Sequence, residues 1–173
     1  MALYVCSLGF KPATGQEQVI PSGGYTLLRF PYGAQENIDP WDMHPSNAPY
    51  PAPESGLIHP AVAGWGTLEL NIIWLDGNYT ELRDVFVRDP LGIPDQTAYA
   101  HRPRTAGEQC FDKVHGLNVR PGTPLGVMVA HDGAGSAKVR MIQFKLTIND
   151  DIALPPADRL KLRPGASDPW PDM

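Results

Sequence analysis

His115-Gly-Leu-Asn-Val-Arg120-Pro-Gly-Thr-Pro-Leu125-Gly-Val-Met-Val-Ala130-His-Asp-Gly-Ala-Gly135-Ser-Ala-Lys-Val-Arg140-Met-Ile-Gln-Phe-Lys145-Leu-Thr-Ile148 is the stretch whose pattern decides the fold class. Leu125, Val127 and Val129 alternate with Gly126, Met128 and Ala130. Beyond the turn cluster Asp132-Gly133-Ala134-Gly135, Ile142, Phe144, Leu146 and Ile148 alternate with Gln143, Lys145 and Thr147. Alternation of period two on both sides of a Gly-rich break predicts an antiparallel hairpin with one buried face. No helical period of comparable strength occurs elsewhere in the chain.

Working outward, Gly66–Leu75 places Leu68, Leu70, Ile72 and Trp74 on one face and Thr67, Glu69 and Asn71 on the other. Asp76-Gly77 is a two-residue turn signal, and Thr80–Arg88 is expected to return along it. There Val85, Phe86 and Val87 are all apolar, so both faces of that strand are expected to be covered. Leu3–Leu8 reads as an edge strand and Tyr25–Phe30 as a second strand. Thr97–His101, Gln109–Phe111 and Leu117–Arg120 are weaker strand signals. About eight strands separated by turns indicate an all-β, antiparallel two-sheet sandwich of jelly-roll type.

Two segments break the alternation. Residues 31–60 hold seven prolines, which cannot donate to a ladder, yet they also hold Trp41, Met43 and Tyr50. Aromatic residues in a Pro-rich loop point to contact rather than to a disordered linker. After Asn149, residues 150–173 form a Pro-rich segment with one possible helical turn at 158–163 and a tryptophan at Trp170. The chain thus divides into a sandwich, 1–149, with a long inserted loop, and an extended C-terminal tail. Trp41 and Trp170 lie where no core is built, so both segments are expected to dock on neighbouring subunits.

Composition narrows the function. A chain of 173 residues with 42% hydrophobic residues suits one globular domain. A net charge of −5 and a pI near 5.4 argue against a nucleic-acid partner. The basic group His101-Arg102-Pro103-Arg104 reads as a solvated strand end. No apolar run reaches the roughly 20 residues of a membrane span, and the first residues carry no basic n-region of a secretory signal. Cys6 and Cys110 lack zinc-ligand spacing and are expected to behave as small hydrophobes, with a mutual disulfide as the alternative. Asn78-Tyr79-Thr80 formally matches a glycosylation sequon but reads as the tip of a turn.

Chemistry is sparse. The histidines at 44, 59, 101, 115 and 131 are spaced by 14 residues or more, so no local metal-ligand motif exists, and no metal or cofactor is expected. No serine sits in a Gly-x-Ser-x-Gly elbow, and strand geometry would separate Cys110 from His115. No catalytic residue is assigned, and the expected function is not enzymatic.

The segments Val119-Arg120-Pro121-Gly122-Thr123-Pro124-Leu125, Val127-x-Val129-x-His131-Asp132 and Met141-x-Gln143-Phe144-Lys145-Leu146, with Thr80–Pro90 before them, resemble small jelly-roll minor tail proteins of bacteriophages that infect actinobacteria. The resemblance covers roughly residues 60–149. It implies a virion structural role in the tail, assembly in the host cytoplasm, threefold clustering with other copies of the chain, and contacts with other virion proteins. Met128 and Ala130, with Val139 and Met141, are expected to form an apolar off-face of the closing hairpin for a partner sheet. The expected partner contacts are therefore Trp41, Tyr50, Met128, Met141 and Trp170. A capsid decoration protein is the near alternative. A carbohydrate-binding or receptor-binding module, which would place Trp41, Trp65 or Tyr99 in an exposed groove for a host-surface glycan, is another. A sandwich enzyme would need distant histidines and carboxylates to converge.

Overall fold

A computed structural model of the chain describes residues 2–33, 37–45 and 49–151. Nine strands follow in order: β1 (Leu3–Phe10), β2 (Gln18–Ile20), β3 (Thr26–Leu27), β4 (Gly64–Trp74), β5 (Glu81–Arg88), β6 (Asp95–Pro103), β7 (Gln109–Val119), β8 (Leu125–His131) and β9 (Ala137–Asn149). The one helical element among the described residues is a single 3-10 turn, Pro53–Gly56. All pairings are antiparallel. One sheet runs β1-β9-β4-β7, with β2 alongside the first residues of β9, and the other runs β3-β8-β5-β6. The fold is thus the two-sheet sandwich that the alternation predicts.

The inward faces follow the sequence pattern. Leu68, Leu70, Ile72 and Trp74 of β4 are buried, as are Ile142, Phe144, Leu146 and Ile148 of β9 and Leu125, Val127 and Val129 of β8. Phe144 lies between Phe30 and Phe86, each ring centroid 6.1 Å from its own, and so joins the two sheets at mid-core. Val85, Phe86 and Val87 are all fully buried, as expected for a strand covered on both sides.

Partner choice differs from the sequence expectation. The strands of the deciding stretch do not pair with each other: β8 lies between β3 and β5, while β9 lies between β1 and β4. Likewise β4 and β5 belong to opposite sheets, so Asp76-Gly77 is a crossing and not a hairpin turn. Only β5 and β6 pair as sequence neighbours. Period two shows that a strand is half-buried, but any strand in the same alternation satisfies it equally well. Gln109–Phe111 and the Leu117–Val119 part of Leu117–Arg120 turn out to belong to one strand, β7, while Tyr25–Phe30 keeps only two ladder residues.

The crossings are pinned by a carboxylate. Asp132, after β8, accepts from the Thr80 hydroxyl and from the backbone N–H groups of Thr80 (2.7 Å) and Glu81 (2.9 Å) at the start of β5. These donors, the Thr80 hydroxyl foremost, hold the Asp132 carboxyl down at about 2. A depressed folded-state value means that the pin stabilises fully above about pH 4 and is lost as pH falls through 2. We therefore expect Asp132→Asn to lower the urea midpoint at pH 6, with the gap from wild type closing between pH 4 and 2. A gap that stays constant over that range would show that the carboxylate charge is not what matters.

The described part of loop 31–60 packs on its own chain. Ile38 exchanges backbone hydrogen bonds with Ser7 of β1, and Ile58 does the same with Leu125 of β8. Met43, Ser55 and Ile58 are buried. Residues 152–173, including the possible helical turn and Trp170, lie outside the described residues.

Candidate functional site

The outward face of the β1-β9-β4-β7 sheet carries the features of an interaction surface. Strand register arranges it in rows. Leu3, Asn149, Trp65 and Asn118 form the first, and Val5, Thr147, Thr67 and Gly116 the second. Lys145, Glu69 and Val114 stand in the third, and Met141, Ile73 and Cys110 close the far end. Glu69, Lys145 and Asp112 are the only charged groups among these outward positions of β4, β7 and β9 between Trp65 and Ile73. Glu69 and Lys145 face each other across adjacent strands without forming an ion pair within 4 Å. A shallow recess of about 310 Å³ opens between them, bounded also by Asn71, Asp112, Val114 and Gln143. Val114 is 68% exposed and Trp65 39% exposed. Trp65 lies flat over the edge strand, so close to Gly116 that a Cβ there would sit 2.8 Å from the indole. A glycine covered by a neighbouring aromatic is a device for holding a sheet position that lacks a side chain.

The free edge of this sheet is blunted. Arg88 and Arg102 reach across from the other sheet and donate to the backbone carbonyls of Asn118 (3.3 Å) and Asp112 (3.2 Å) of β7. Lys113 turns inward to Asp84, Nζ to Oδ1 2.6 Å, and Arg102 Nε meets the same carboxylate at 3.1 Å. Burial pushes the Lys113 ammonium below its ordinary value, and Asp84 offsets this only in part. Side-chain capping of an edge disfavours strand addition there. Contact through this sheet is therefore favoured across its face rather than along its edge.

The expected contact residues fall into separate places. Met141 is half-buried on the outward face just described, but Met128 is half-buried in β8 of the opposite sheet, so the two do not share a surface. Ala130 and Val139 are buried, at 4% and 0% exposure, and supply no off-face. The β-bulge of β9 opposite Ile73 and Trp74 reverses the alternation and turns Val139 inward. Trp41 packs on Tyr4 of its own chain, centroids 4.5 Å apart, and remains 46% exposed; Tyr50 is 39% exposed. Trp41 packs beside β1, Trp65 covers Gly116 of β7, and Tyr99 stands exposed on β6 of the other sheet. Sequence reasoning missed Val114, Ile73 and Leu3 as surface residues. Their alternation was visible, but the face that it leaves open depends on which strands flank them.

Groups with chemical potential are engaged. Cys6 is buried and Cys110 exposed; both are free, so the second departs from the small-hydrophobe expectation and no disulfide forms. Burial, with Asp39 beside it, pushes the Cys6 thiol far up, which keeps it protonated and unreactive. His44 Nε2 donates to the Ser55 carbonyl (2.9 Å), while Asp39 accepts the Met43 and His44 backbone N–H groups. His131 donates from Nε2 to the Ile20 carbonyl and accepts at Nδ1 from Gly133. No group of three His, Cys, Asp or Glu side chains among the described residues is arranged to hold a metal. No helix among them is long and apolar enough to cross a membrane.

No protein-family model and no curated protein matches the chain. Solved structures do match in fold. The Eiger TNF of S. frugiperda is 13% identical with a TM-score of 0.54, covering 98% of this chain and 99% of that one. Murine APRIL at pH 8.5 is 9% identical with a TM-score of 0.57, covering 86% of this chain and all of that one. The globular domain of zebrafish complement 1qA is 12% identical with a TM-score of 0.55, covering 83% and 94%. At such identities the likeness is one of architecture: the chain is an all-β jelly-roll sandwich with the fold of the TNF and C1q domains.

Proposed function

We propose that this protein is a non-enzymatic structural module of a bacteriophage virion, placed in the tail, which assembles as a homotrimer through the outward face of its β1-β9-β4-β7 sheet. The observation that carries the assembly is the face itself. It joins exposed Leu3, Trp65 and Val114 with neutral polar side chains and places two unpaired opposite charges at its centre. Large apolar side chains exposed on one face among neutral polar ones suit an interface, where a partner would cover them. The similarity to TNF-like and C1q-like folds supports a module that works by binding other proteins. The tail assignment rests on the resemblance over residues 60–149.

Light scattering at micromolar concentration should give the mass of three 18.9-kDa chains, about 57 kDa. Thr67→Arg and Val114→Glu each put a charge on the face at a solvent-reachable position. They should return the protein to monomer mass with an unchanged circular dichroism spectrum. A wild-type monomer would sink the trimer. For the virion role, gold-labelled antibody should mark the tail of intact particles. Labelling of the head alone would instead make the protein a decoration protein, and particles free of label would end the virion reading.

A further inference from the structure

A cleft of about 480 Å³ opens at the end of the sandwich between the β5–β6 and β7–β8 loops. Val119 and Leu125 line it, and Ile93 stands on its rim at 87% exposure. That rim is not a loose tip. Asp89, with φ 49°, accepts the Ile93 N–H on its carboxylate (3.1 Å) and the Gly92 N–H on its carbonyl (3.1 Å), and donates its own N–H to Pro124 (2.7 Å). The loop therefore holds an isoleucine out in water at a solvation cost that nothing among the described residues offsets.

The charges of the cleft are unequally matched. Arg88 donates to Asp95 (2.8 Å) and to the Asn118 carbonyl, so that pair is neutralised internally. The Asp89 carboxylate is turned into its own loop. Arg120 is exposed and has no side-chain partner among the described residues. A fixed apolar rim beside one unmatched guanidinium fits an occupant that is aromatic or aliphatic and acidic.

The chain carries such a segment: Asp168-Pro169-Trp170-Pro171-Asp172. Its prolines restrict the backbone beforehand, so docking in extended form costs little entropy. Its attachment is also at the right end. β9 finishes at Asn149, in register with Trp65, which is in register with Asn118 on the cleft wall. Two strand spacings, about 10 Å, separate the end of β9 from the cleft. The 16 residues between Asp151 and Asp168 span up to about 55 Å when extended, and tethering puts the segment at roughly millimolar effective concentration.

We propose that the Asp168–Asp172 segment of this chain seats in its own cleft, with Trp170 against Ile93 and Val119 and its flanking carboxylates toward Arg120. The cleft lies at the end of the sandwich and shares only Asn118 with the rows of the trimer face.

Fluorine NMR of the full chain carrying 5-fluorotryptophan tests it. Four tryptophans give four resonances, and Trp170→Ala identifies the one of interest. In wild type that resonance should be displaced from its position in a free synthetic peptide of residues 167–173. Arg120→Glu and Ile93→Ala should each remove the displacement, and Arg120→Glu combined with Asp168→Arg and Asp172→Arg should restore it. The resonance of buried Trp74 reports whether each variant stays folded, and the mass by light scattering should not change in any of them. Three outcomes overturn the proposal. The wild-type resonance sits at the free-peptide position; it is displaced but ignores both cleft variants; or it answers instead to Leu3→Ala or Ile38→Ala beside Trp41.

Discussion

Asp84→Ala lowers the unfolding free energy by about 3 kcal/mol, which corresponds to a fall in Tm of roughly 6–12 °C for a chain of this size. Asp84 is 3% exposed and receives Lys113 Nζ at 2.6 Å and Arg102 Nε at 3.1 Å. Removing it leaves the Lys113 ammonium, whose side chain is 9% exposed, next to the Phe86 ring with no countercharge. The loss stays near the lower end of the usual range for two reasons. The Asp84 backbone carbonyl still accepts from Lys113 at 2.9 Å, and Arg102 can turn to solvent. Asp84→Leu combined with Lys113→Met should recover most of the stability, because the desolvation cost of the ion cluster disappears along with its attraction. Urea unfolding of both variants at one protein concentration decides the matter. A single variant within 1 kcal/mol of wild type would mean that the two cations are solvated in place.

Phe144→Ala costs about 4 kcal/mol, the range for removing a large aromatic side chain from a core that cannot collapse around the gap. Phe144 has no solvent exposure, and from β9 of one sheet it packs against Phe86 of the opposite sheet and Phe30 of the segment after β3. Backbone ladders hold each layer rigid, so neither sheet can sink toward the other over the lost ring. Phe144→Leu keeps much of the volume and should cost about half as much. Denaturant midpoints with an unchanged urea slope would confirm a packing effect. A loss below 2 kcal/mol for the alanine variant would show that the sheets can close on the gap.

The candidate interface was legible only in fragments. Thr67, Glu69 and Asn71 read as the solvent side of a strand, and so they are. Nothing local shows that Thr67 lies between Thr147 and Gly116, or that Leu3, 62 residues away in sequence, joins Trp65 across Asn149. Conversely, Met128 and Met141 look like one patch when β8 and β9 are drawn as a hairpin, and they separate once each strand enters its own sheet. Ala130 and Val139 show the same failure at closer range. One is covered within its sheet, and the other is turned inward by a bulge that alternation counting cannot foresee. The cleft beside Ile93 depends on Asp89 folding its carboxylate back on its own loop, a contact that Asp-Pro-Leu-Gly-Ile-Pro does not announce.

Period-two burial, the turn residues and the lack of helical spacing are local properties, and from them the chain alone determined its all-β class and nearly every inward side chain. Which strands lie side by side was decided only in three dimensions. An alternating strand gains the same burial from any suitable neighbour, and the choice among neighbours is made by long-range contacts such as Asp132 with Thr80 and Phe144 with Phe86.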